Sequence, residues 1–377
     1  MTGKLRIGLL GAAGISSKTA IAIASQESEC VVTAISSRSE EKAKKFVKDC
    51  PGLDSSTTKI FGGANAYNEL IQSSDYDALY IPLPVAVKKA WILQALQNGK
   101  HVVLEKPAAL TANDYQEMLK VAYANGKFLL DGTMFPHHSR MSNILERVAA
   151  GNDVGSVDRI QCSFTFLADE AFLNGNNIRA RKEDGDPHGC IGDVGWYCIR
   201  FGLMVYERLG INVISAKVVD CEVNQHGVPI DATCVVRFEG GKVLWFHCGF
   251  KTPLRQQFEI CGSKKSILLD DLVLPRESPS SFELKSTKLT AHDLVTVDEK
   301  ETVDCPNSPP HEVLLWKTFQ SIARRLDAST QTGASEWKGD TAAEANKWGA
   351  MSLLNQKVID ALMKSIAEDG SEVKIIG

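Results

Sequence analysis

The 377-residue sequence has no apolar run long enough to span a bilayer and no excess of basic residues. Its 42 lysines and arginines are outnumbered by 46 aspartates and glutamates, and a net charge of -4 gives no field that attracts nucleic acid. Residues 1–4 lead directly into a strand pattern, without the features of a signal or transit peptide. We therefore expect a cytoplasmic protein with neither a nucleic-acid partner nor a membrane partner.

Paired cysteines and clustered metal ligands are also missing. The ten cysteines are scattered without a CxxC pair, and most lie in apolar strand patterns. A chain of this length needs no covalent cross-links, so we expect them to be small core residues. His137 and His138 are adjacent, but neighbouring side chains of extended structure point apart, and no third ligand is near in sequence. We expect no metal site.

Strand and helix patterns alternate through the first third of the chain, which is typical of a doubly wound parallel sheet. Beyond residue 135, strand-like runs such as 232–238 and 243–250 are joined by segments too short for crossover helices, which favours antiparallel pairing. The predicted fold class is α/β: an N-terminal Rossmann domain with a parallel sheet, then a C-terminal α+β domain with a large, mostly antiparallel open sheet. Polar residues 276–310 are predicted to form an irregular surface excursion.

The first strand pattern leads into a relaxed dinucleotide-binding fingerprint, the run GAAGIS at residues 11–16. Gly11 permits a tight turn, and the backbone N–H groups of Ala13 and Gly14 can approach a pyrophosphate at the start of a helix near Ile15. Two glycines of the strict pattern are replaced, so an ordinary strand-turn-helix is the alternative.

The end of the second strand pattern indicates which dinucleotide fits. Ser37 and Arg38 follow it, and no carboxylate is present to bind a ribose 2′-hydroxyl. A guanidinium group beside hydroxyls can instead receive a 2′-phosphate, which favours NADP over NAD. The alternative is that this serine-rich segment only caps the helix that begins near Glu40, and we expect Ser39 to cap it in either case.

Glu105-Lys106-Pro107 follows the apolar run Val102-Val103-Leu104. Residues just beyond the carboxyl end of a parallel strand line the crevice in which open α/β sheets bind ligands. The position therefore predicts that Lys106 takes part in chemistry.

Four motifs in this order and spacing resemble the glucose-fructose oxidoreductase and inositol dehydrogenase (Gfo/Idh/MocA) family: residues 81–84, 99–107, 131–135 and 189–197. Within this family, the sequence resembles the branch of dihydrodiol dehydrogenase and D-xylose dehydrogenase, because Tyr197 stands where many sugar-acting members have histidine. The resemblance implies a dinucleotide-binding domain over residues 1–135 and a substrate-binding and oligomerisation domain over 136–377. It also implies a homodimer or homotetramer formed through the C-terminal sheet.

For this chain the resemblance implies hydride transfer between a nicotinamide and a carbinol or carbonyl carbon of a sugar, diol or related small molecule. Lys106 would bind the substrate oxygen, Tyr197 would carry the proton, and Asp193 would orient substrate hydroxyls. The remaining implied contacts are Pro82, Leu83 and Glu105 with Lys106 at the cofactor, and His137 and Arg179 at the substrate. Two departures, Lys88 and Pro136, stand where many relatives have histidine and arginine, and both are expected to bear on substrate.

Asp193 and Tyr197 lie four residues apart, a spacing that places both on one face of a helix. Asp193 is expected near a helix start, where it can also act as a cap, and the helix N-terminus and a nearby Lys106 ammonium would favour ionised Tyr197. The alternatives are that Tyr197 only packs the second domain, or that Lys106 carries the proton.

Two other functions fit the same pattern. A catalytically silent nucleotide-binding sensor could use the two-domain frame, but the retention of Lys106, Asp193 and Tyr197 counts against it. A redox-assisted glycosidase is disfavoured by the Ser37-Arg38 pair and by the expected cytoplasmic location.

Overall fold

The computed structural model describes residues 3–25, 27–275, 280–289, 296–305, 308–329 and 339–375. They form two compact units. The first unit consists of Met1–Met134 and Pro309–Gln356, and the second of Phe135–Ser308 and Lys357–Gly377. Within the described ranges no helix is both long and apolar enough to cross a membrane.

The helices occur where the sequence pattern predicts them, with boundaries shifted by a few residues. They are α1 (Gly14–Ala24), α2 (Glu40–Asp49), α3 (Ala66–Gln72), α4 (Val85–Gln97), α5 (Ala112–Ala124), α6 (Ser139–Ala150), α7 (Gly189–Asp193), α8 (Gly195–Arg208), α9 (His311–Ser329) and α10 (Asp340–Ala367). Ser39 caps α2 by accepting a hydrogen bond from Lys42 N at 3.2 Å, and Thr111 caps α5 in the same way.

A parallel sheet forms the centre of the first unit. Its strands are β1 (Leu5–Leu10), β2 (Cys30–Ser37), β3 (Lys59–Gly62), β4 (Ala78–Ile81), β5 (His101–Leu104) and β6 (Leu129–Asp131). In the described residues they pair in the order β3-β2-β1-β4-β5-β6, all in parallel. This order reverses direction at β1, and ligands bind such sheets at the carboxyl ends beside the reversal. The predicted doubly wound sheet is confirmed.

Helix α9 closes one face of this sheet, although it lies far along the chain. Trp316 packs edge-on against Tyr80 of β4, and Phe319 stacks on Phe128 with ring centroids 5.6 Å apart. The apolar side chains of α9 and of the start of α10 join the core of the sheet. The unit therefore includes Pro309–Gln356, whereas the domain division expected from the sequence, 1–135 and 136–377, assigned that segment to the second domain. A short-range pattern cannot show on which sheet an apolar helix packs.

A large sheet forms the second unit. Its strands are β7 (Val157–Leu167), β8 (Val213–Val223), β9 (Pro229–Phe238), β10 (Val243–Gly249), β11 (Lys251–Gly262), β12 (Ser266–Leu269), β13 (Ser280–Leu289), β14 (Thr296–Cys305) and β15 (Val373–Lys374). The described strands pair in the order β14-β13-β12-β11-β7-β10-β9-β8-β15. Only β7 and β10 run parallel among these pairs, so the predicted mostly antiparallel sheet is confirmed.

The prediction of an irregular excursion over residues 276–310 was wrong for most of that segment. Strands β13 and β14 pair antiparallel over ten residues each, while residues 276–279, 290–295 and 306–307 lie outside the described residues. The two strands were missed because their sequence is polar. They lie at one end of the sheet order and carry charged cross-strand pairs, such as Lys288 Nζ with Glu299 Oε1 at 2.7 Å.

The cysteines behave as predicted. All ten are free thiols, and eight of them are buried. They fill small spaces in the cores of both sheets.

Candidate active site

The turn after β1 has the geometry of an anion-binding loop. Gly11 has φ +130°, which only glycine adopts readily, and Ala13 precedes α1 in an extended conformation. Ser16 Oγ donates to the carbonyl oxygen of Gly11 at 3.0 Å and so fixes the turn. A Cβ on Gly14 would have no neighbouring heavy atom within 4 Å outside its own helix backbone. Gly14 is thus exposed at the start of α1, and the N–H groups of such a helix N-terminus can bind a phosphate.

The loop after β4 borders the same turn. A Cβ on Gly11 would lie 3.7 Å from Leu83 Cδ2 and 3.8 Å from Pro82 Cγ. Pro82 and Leu83 thus lie beside Gly11, as expected for three residues predicted to share one cofactor. Ile15, the fourth predicted residue of the fingerprint, packs against the core of the unit.

Arg38 lies exposed just after β2, and it has a partner that the sequence did not indicate. Its positive charge acts on the hydroxyl of Tyr67, which would lie 3.7 Å from a Cβ on Gly11. Burial raises the pKa of Tyr67, and Arg38 opposes that rise, so the hydroxyl is neutral at physiological pH. Ser37 is buried and accepts a hydrogen bond from Ser39 N at 3.2 Å. Arg38 thus lies near a hydroxyl that borders the turn after β1.

The Glu105 side chain forms hydrogen bonds with other residues of the protein. Its carboxylate accepts hydrogen bonds from the Tyr80 hydroxyl at 2.6 Å and from Lys106 N at 3.2 Å. A Cβ on Gly132 would lie 2.8 Å from Glu105 Oε1, so only glycine fits there. Burial raises the pKa of Glu105, while Tyr80 and the positive charges of Lys106 and Lys88 counteract it. Glu105 therefore fixes the turn that carries Lys106.

Lys88, which is expected to bear on substrate, is buried against the turn that carries Lys106. It is 1% exposed, and its Nζ donates to the carbonyl oxygens of Glu105 and Pro107, the residues on either side of Lys106. The Lys106–Pro107 peptide bond is cis, and Lys106 itself is half-buried. Pro136, the second departure, is buried in a short turn, Phe135–His137.

In the second unit, the structure brings Asp193 together with Arg179. Arg179 Nε lies 3.2 Å from Asp193 Oδ1, and the Asp193 side chain is almost fully buried. Asp193 is the last residue of α7, two residues before α8 begins at Gly195, and its carboxylate pairs with Arg179. Val194 keeps right-handed helical angles, φ -91° and ψ -29°, between α7 and α8. The helical spacing expected between Asp193 and Tyr197 is therefore present.

Tyr197 lies in the first turn of α8, half-buried between two aromatic rings. Its ring centroid lies 6.4 Å from that of Phe135 and 5.5 Å from that of Phe164. Packing against these two rings fixes the Tyr197 ring. This position agrees equally with a purely structural role for Tyr197 and with a catalytic role for its hydroxyl.

Asp186 and His188 form a buried pair that the sequence analysis missed. His188 Nδ1 lies 3.0 Å from Asp186 Oδ1, and His188 N donates to the same oxygen at 3.0 Å. A Cβ on Gly192 would lie 2.6 Å from His188 Cβ and 3.1 Å from Asp186 Oδ2. The pair therefore packs against Gly192 of α7, the residue before Asp193. The Asp-Pro-His run just before the Gly189 motif was the available signal.

The adjacent histidines have separate environments. His137 is half-buried in the turn before α6, and His138 caps α6 by accepting a hydrogen bond from Arg140 N at 3.0 Å. In the part of the chain that the structure describes, no three His, Cys, Asp or Glu side chains lie close enough together to hold a metal ion.

Comparisons with known proteins agree with this geometry. Residues 5–133 match the model of an oxidoreductase family with an NAD-binding Rossmann fold, and residues 143–268 match the GFO/IDH/MocA C-terminal domain. The dTDP-3,4-didehydro-2,6-dideoxy-alpha-D-glucose 3-reductase of Actinomadura kijaniata is 31% identical over 344 residues, which is 91% of this chain and 93% of that protein. D-xylose 1-dehydrogenase (NADP(+)) 2 of Haloferax volcanii is 29% identical over 263 residues, 68% of this chain and 73% of that protein.

A solved structure shares the fold. It is a 3-ketoreductase from Actinomadura kijaniata in complex with NADP and TDP-benzene, which aligns with a TM-score of 0.75 at 21% identity and covers 96% of this chain and 98% of that chain. This chain belongs to the Gfo/Idh/MocA family of oxidoreductases.

Proposed function

We propose that this protein is an NADP-dependent oxidoreductase that transfers a hydride between the nicotinamide and a carbinol or carbonyl carbon of a sugar, diol or related small molecule. The observation that carries the cofactor assignment is the position of the exposed Arg38 directly after β2, near a Tyr67 hydroxyl that borders the glycine turn. A cation at the end of this strand fits a dinucleotide with a third phosphate. NADP-dependent relatives support the same choice.

The described residues fit this cofactor. Open space at Gly14 leaves room for a pyrophosphate near the N-terminus of α1, with Gly11 and Ala13 in the preceding turn and Ile15 in the first turn of the helix. Ser37 and Arg38 are the residues for the 2′-phosphate. The contacts proposed for the nicotinamide half are Pro82, Leu83, Glu105 and Lys106. When bound, NADP supplies or accepts the hydride.

The proton and the substrate oxygen require side chains of this chain. We assign the proton to Tyr197, whose ring is fixed by Phe135 and Phe164. Lys106 would donate a hydrogen bond to the substrate oxygen and stabilise negative charge that develops there. Lys106 as the proton carrier is the competing assignment, and separate substitutions distinguish the two.

Asp193, Arg179 and His137 are the proposed substrate contacts. The buried Asp193 carboxylate, paired with the half-exposed Arg179, can accept hydrogen bonds from substrate hydroxyls. The Arg179 side chain is 44% exposed, and a guanidinium can donate to a polar or anionic substrate group.

The relatives point to a substrate test with two arms. Four curated relatives reduce a dTDP-linked keto-sugar, and another oxidises D-xylose with NADP. We propose a sugar or sugar-like substrate. The test is turnover with NADPH and a dTDP-linked 3-keto-sugar, and with NADP⁺ and D-xylose, inositols or trans-dihydrodiols. Turnover in one arm identifies the class. Tight NADPH binding without turnover in either arm would favour a sensor.

We propose that the outer face of the large sheet forms a homodimer or homotetramer contact. Trp245 is 41% exposed on β10, and Val219 is 57% exposed on β8. A groove of about 610 Å³ lies on the Trp245 side of this sheet, lined in part by Gln161, Gln257 and Glu259. A large aromatic residue on an open sheet is typical of an interface core.

We propose a cytoplasmic location for this protein. Its ten free thiols suit the reducing conditions of the cytoplasm.

A further inference from the structure

Lys88 is a buried cation with defined partners. It lies on α4, and its Nζ donates to the carbonyl oxygens of Glu105 and Pro107. Burial of an ammonium group is unfavourable unless its donors are satisfied, so these bonds account for its position. Lys106 lies between the two acceptor residues. The buried ammonium therefore binds the backbone on both sides of the proposed catalytic residue.

The other hydrogen bonds of this turn lie on the N-terminal side of Lys106, whereas Lys88 also binds the far side. Glu105 N donates to Ile81 O at 3.1 Å, and Lys106 N donates to the Glu105 carboxylate at 3.2 Å. Both of these bonds fix the N-terminal side of the turn. The carbonyl of Pro107 lies beyond Lys106, and Lys88 connects it to the carbonyl of Glu105. Without Lys88, the path of the chain on the far side of Lys106 would lose this constraint.

We propose that Lys88 is a positioning residue that holds the Lys106 backbone for reaction, and that it does not contact the substrate. This inference rests on the proposed role of Lys106. Misplacement of a reacting group by about 1 Å can reduce the rate about 100-fold. Removal of the ammonium should therefore act mainly on kcat, while the turn after β1 and Arg38 continue to bind NADPH.

The chain contains a matched control in Lys100. This lysine is 5% exposed, and its Nζ also donates to two backbone carbonyls, Ser73 O at 2.5 Å and Tyr76 O at 2.8 Å. It precedes β5, whereas Lys106 follows that strand, so the two buried ammonium groups lie at opposite ends of it. A variant of Lys100 reproduces the loss of a buried, doubly bonded ammonium without affecting the Lys106 turn.

The test compares Lys88→Met, Lys88→Gln and Lys100→Met by thermal unfolding, NADPH fluorescence titration and kinetics with the best substrate of the two-arm panel. We expect Lys88→Met to lower kcat about 10- to 100-fold, with KM and the NADPH Kd within about threefold of wild type. Lys88→Gln keeps one side-chain amide donor and should retain more activity; it also serves if the methionine variant does not fold. Lys100→Met should lose stability but keep kcat. Equal kcat losses in the Lys88 and Lys100 variants, or a Lys88 effect confined to KM, would overturn the inference.

A double substitution separates this inference from the proposed function. If Lys88 acts through Lys106, adding Lys88→Met to Lys106→Met should leave the residual rate nearly unchanged. Additive losses would show that Lys88 acts elsewhere and would reject the positioning role. Full activity of Lys106→Met alone would instead reject the proposed function of Lys106.

Discussion

Arg179 Nε and Asp193 Oδ1 lie 3.2 Å apart, joining a half-exposed guanidinium to a buried carboxylate in the second unit. Removing one partner of such a pair leaves the buried charge less satisfied. We expect Arg179→Met to lower kcat/KM about tenfold, in keeping with one charged hydrogen bond. Arg181→Met is the control, because Arg181 pairs with the exposed Asp184. Steady-state kinetics of both variants test this, and equal effects would argue against a substrate role for Arg179.

Arg38 and Tyr67 should determine cofactor preference. Loss of a charge-assisted bond to a phosphate predicts that Arg38→Ala weakens NADPH binding about 10- to 100-fold and leaves NADH binding almost unchanged. Tyr67→Phe keeps the ring against Trp91 but removes the hydroxyl near Arg38, so a smaller loss in the same direction is expected. Fluorescence titrations measure both, with Lys45→Ala, at an exposed lysine in the middle of α2, as the control. A parallel loss of NADH affinity would contradict this assignment.

His101 should make stability depend on pH. Its Nδ1 accepts a hydrogen bond from Phe128 N at 2.9 Å, so a proton added there breaks that bond. Burial lowers the pKa of His101, although Asp327 opposes this. The unfolded chain, with an ordinary histidine pKa near ~6.5, then binds a proton first, so stability is complete above that pH and is lost as the pH falls below it.

The test follows from this linkage. Between pH 7.5 and 5.5, His101 should lower the free energy of unfolding as the pH falls. Urea unfolding of His101→Gln should show a weaker pH dependence than wild type, while His226→Gln, at an exposed histidine, should match wild type. An unchanged pH dependence in His101→Gln would exclude this origin.

Trp245 tests the proposed oligomer. A charge at the centre of an apolar interface is strongly unfavourable, so Trp245→Glu should shift the protein to a smaller species in light scattering after size-exclusion chromatography. Ile21→Glu places the same charge at a residue of α1 that is 50% exposed, and it should leave the mass unchanged. A wild-type mass of one chain, or no shift in the Trp245 variant, would reject this interface.

Local patterns predicted much of the fold. Alternating apolar runs and helix caps such as Ser39 depend on near neighbours in sequence, and they give the parallel sheet and its helices. The strands β13 and β14 were not predicted, because their sequence is polar and their pairing across the sheet is not visible in local patterns. The packing of α9 on the first sheet was not predicted, because it depends on contacts distant in sequence.

The candidate site shows the same division. Lys106, Asp193 and Tyr197 were predicted from motifs, and their roles stay predictions. Tyr67 and Lys88 were not assigned their contacts, because Arg38 and the Glu105 turn reach them only through the folded sheet. Buried pairs such as Asp186 with His188 likewise need tertiary structure to be recognised.

The most direct test of the catalytic assignment compares NADPH binding and turnover in Tyr197→Phe and Lys106→Met, with Tyr123→Phe as a tyrosine control on α5. Tyr197→Phe keeps the ring between Phe135 and Phe164, so folding should be preserved. We predict that both variants bind NADPH as wild type does and lose turnover by about 100-fold or more, as expected for removal of an acid-base group or of transition-state stabilisation. Wild-type turnover in Tyr197→Phe would contradict the assignment of the proton to Tyr197, and wild-type turnover in both would contradict the proposed mechanism.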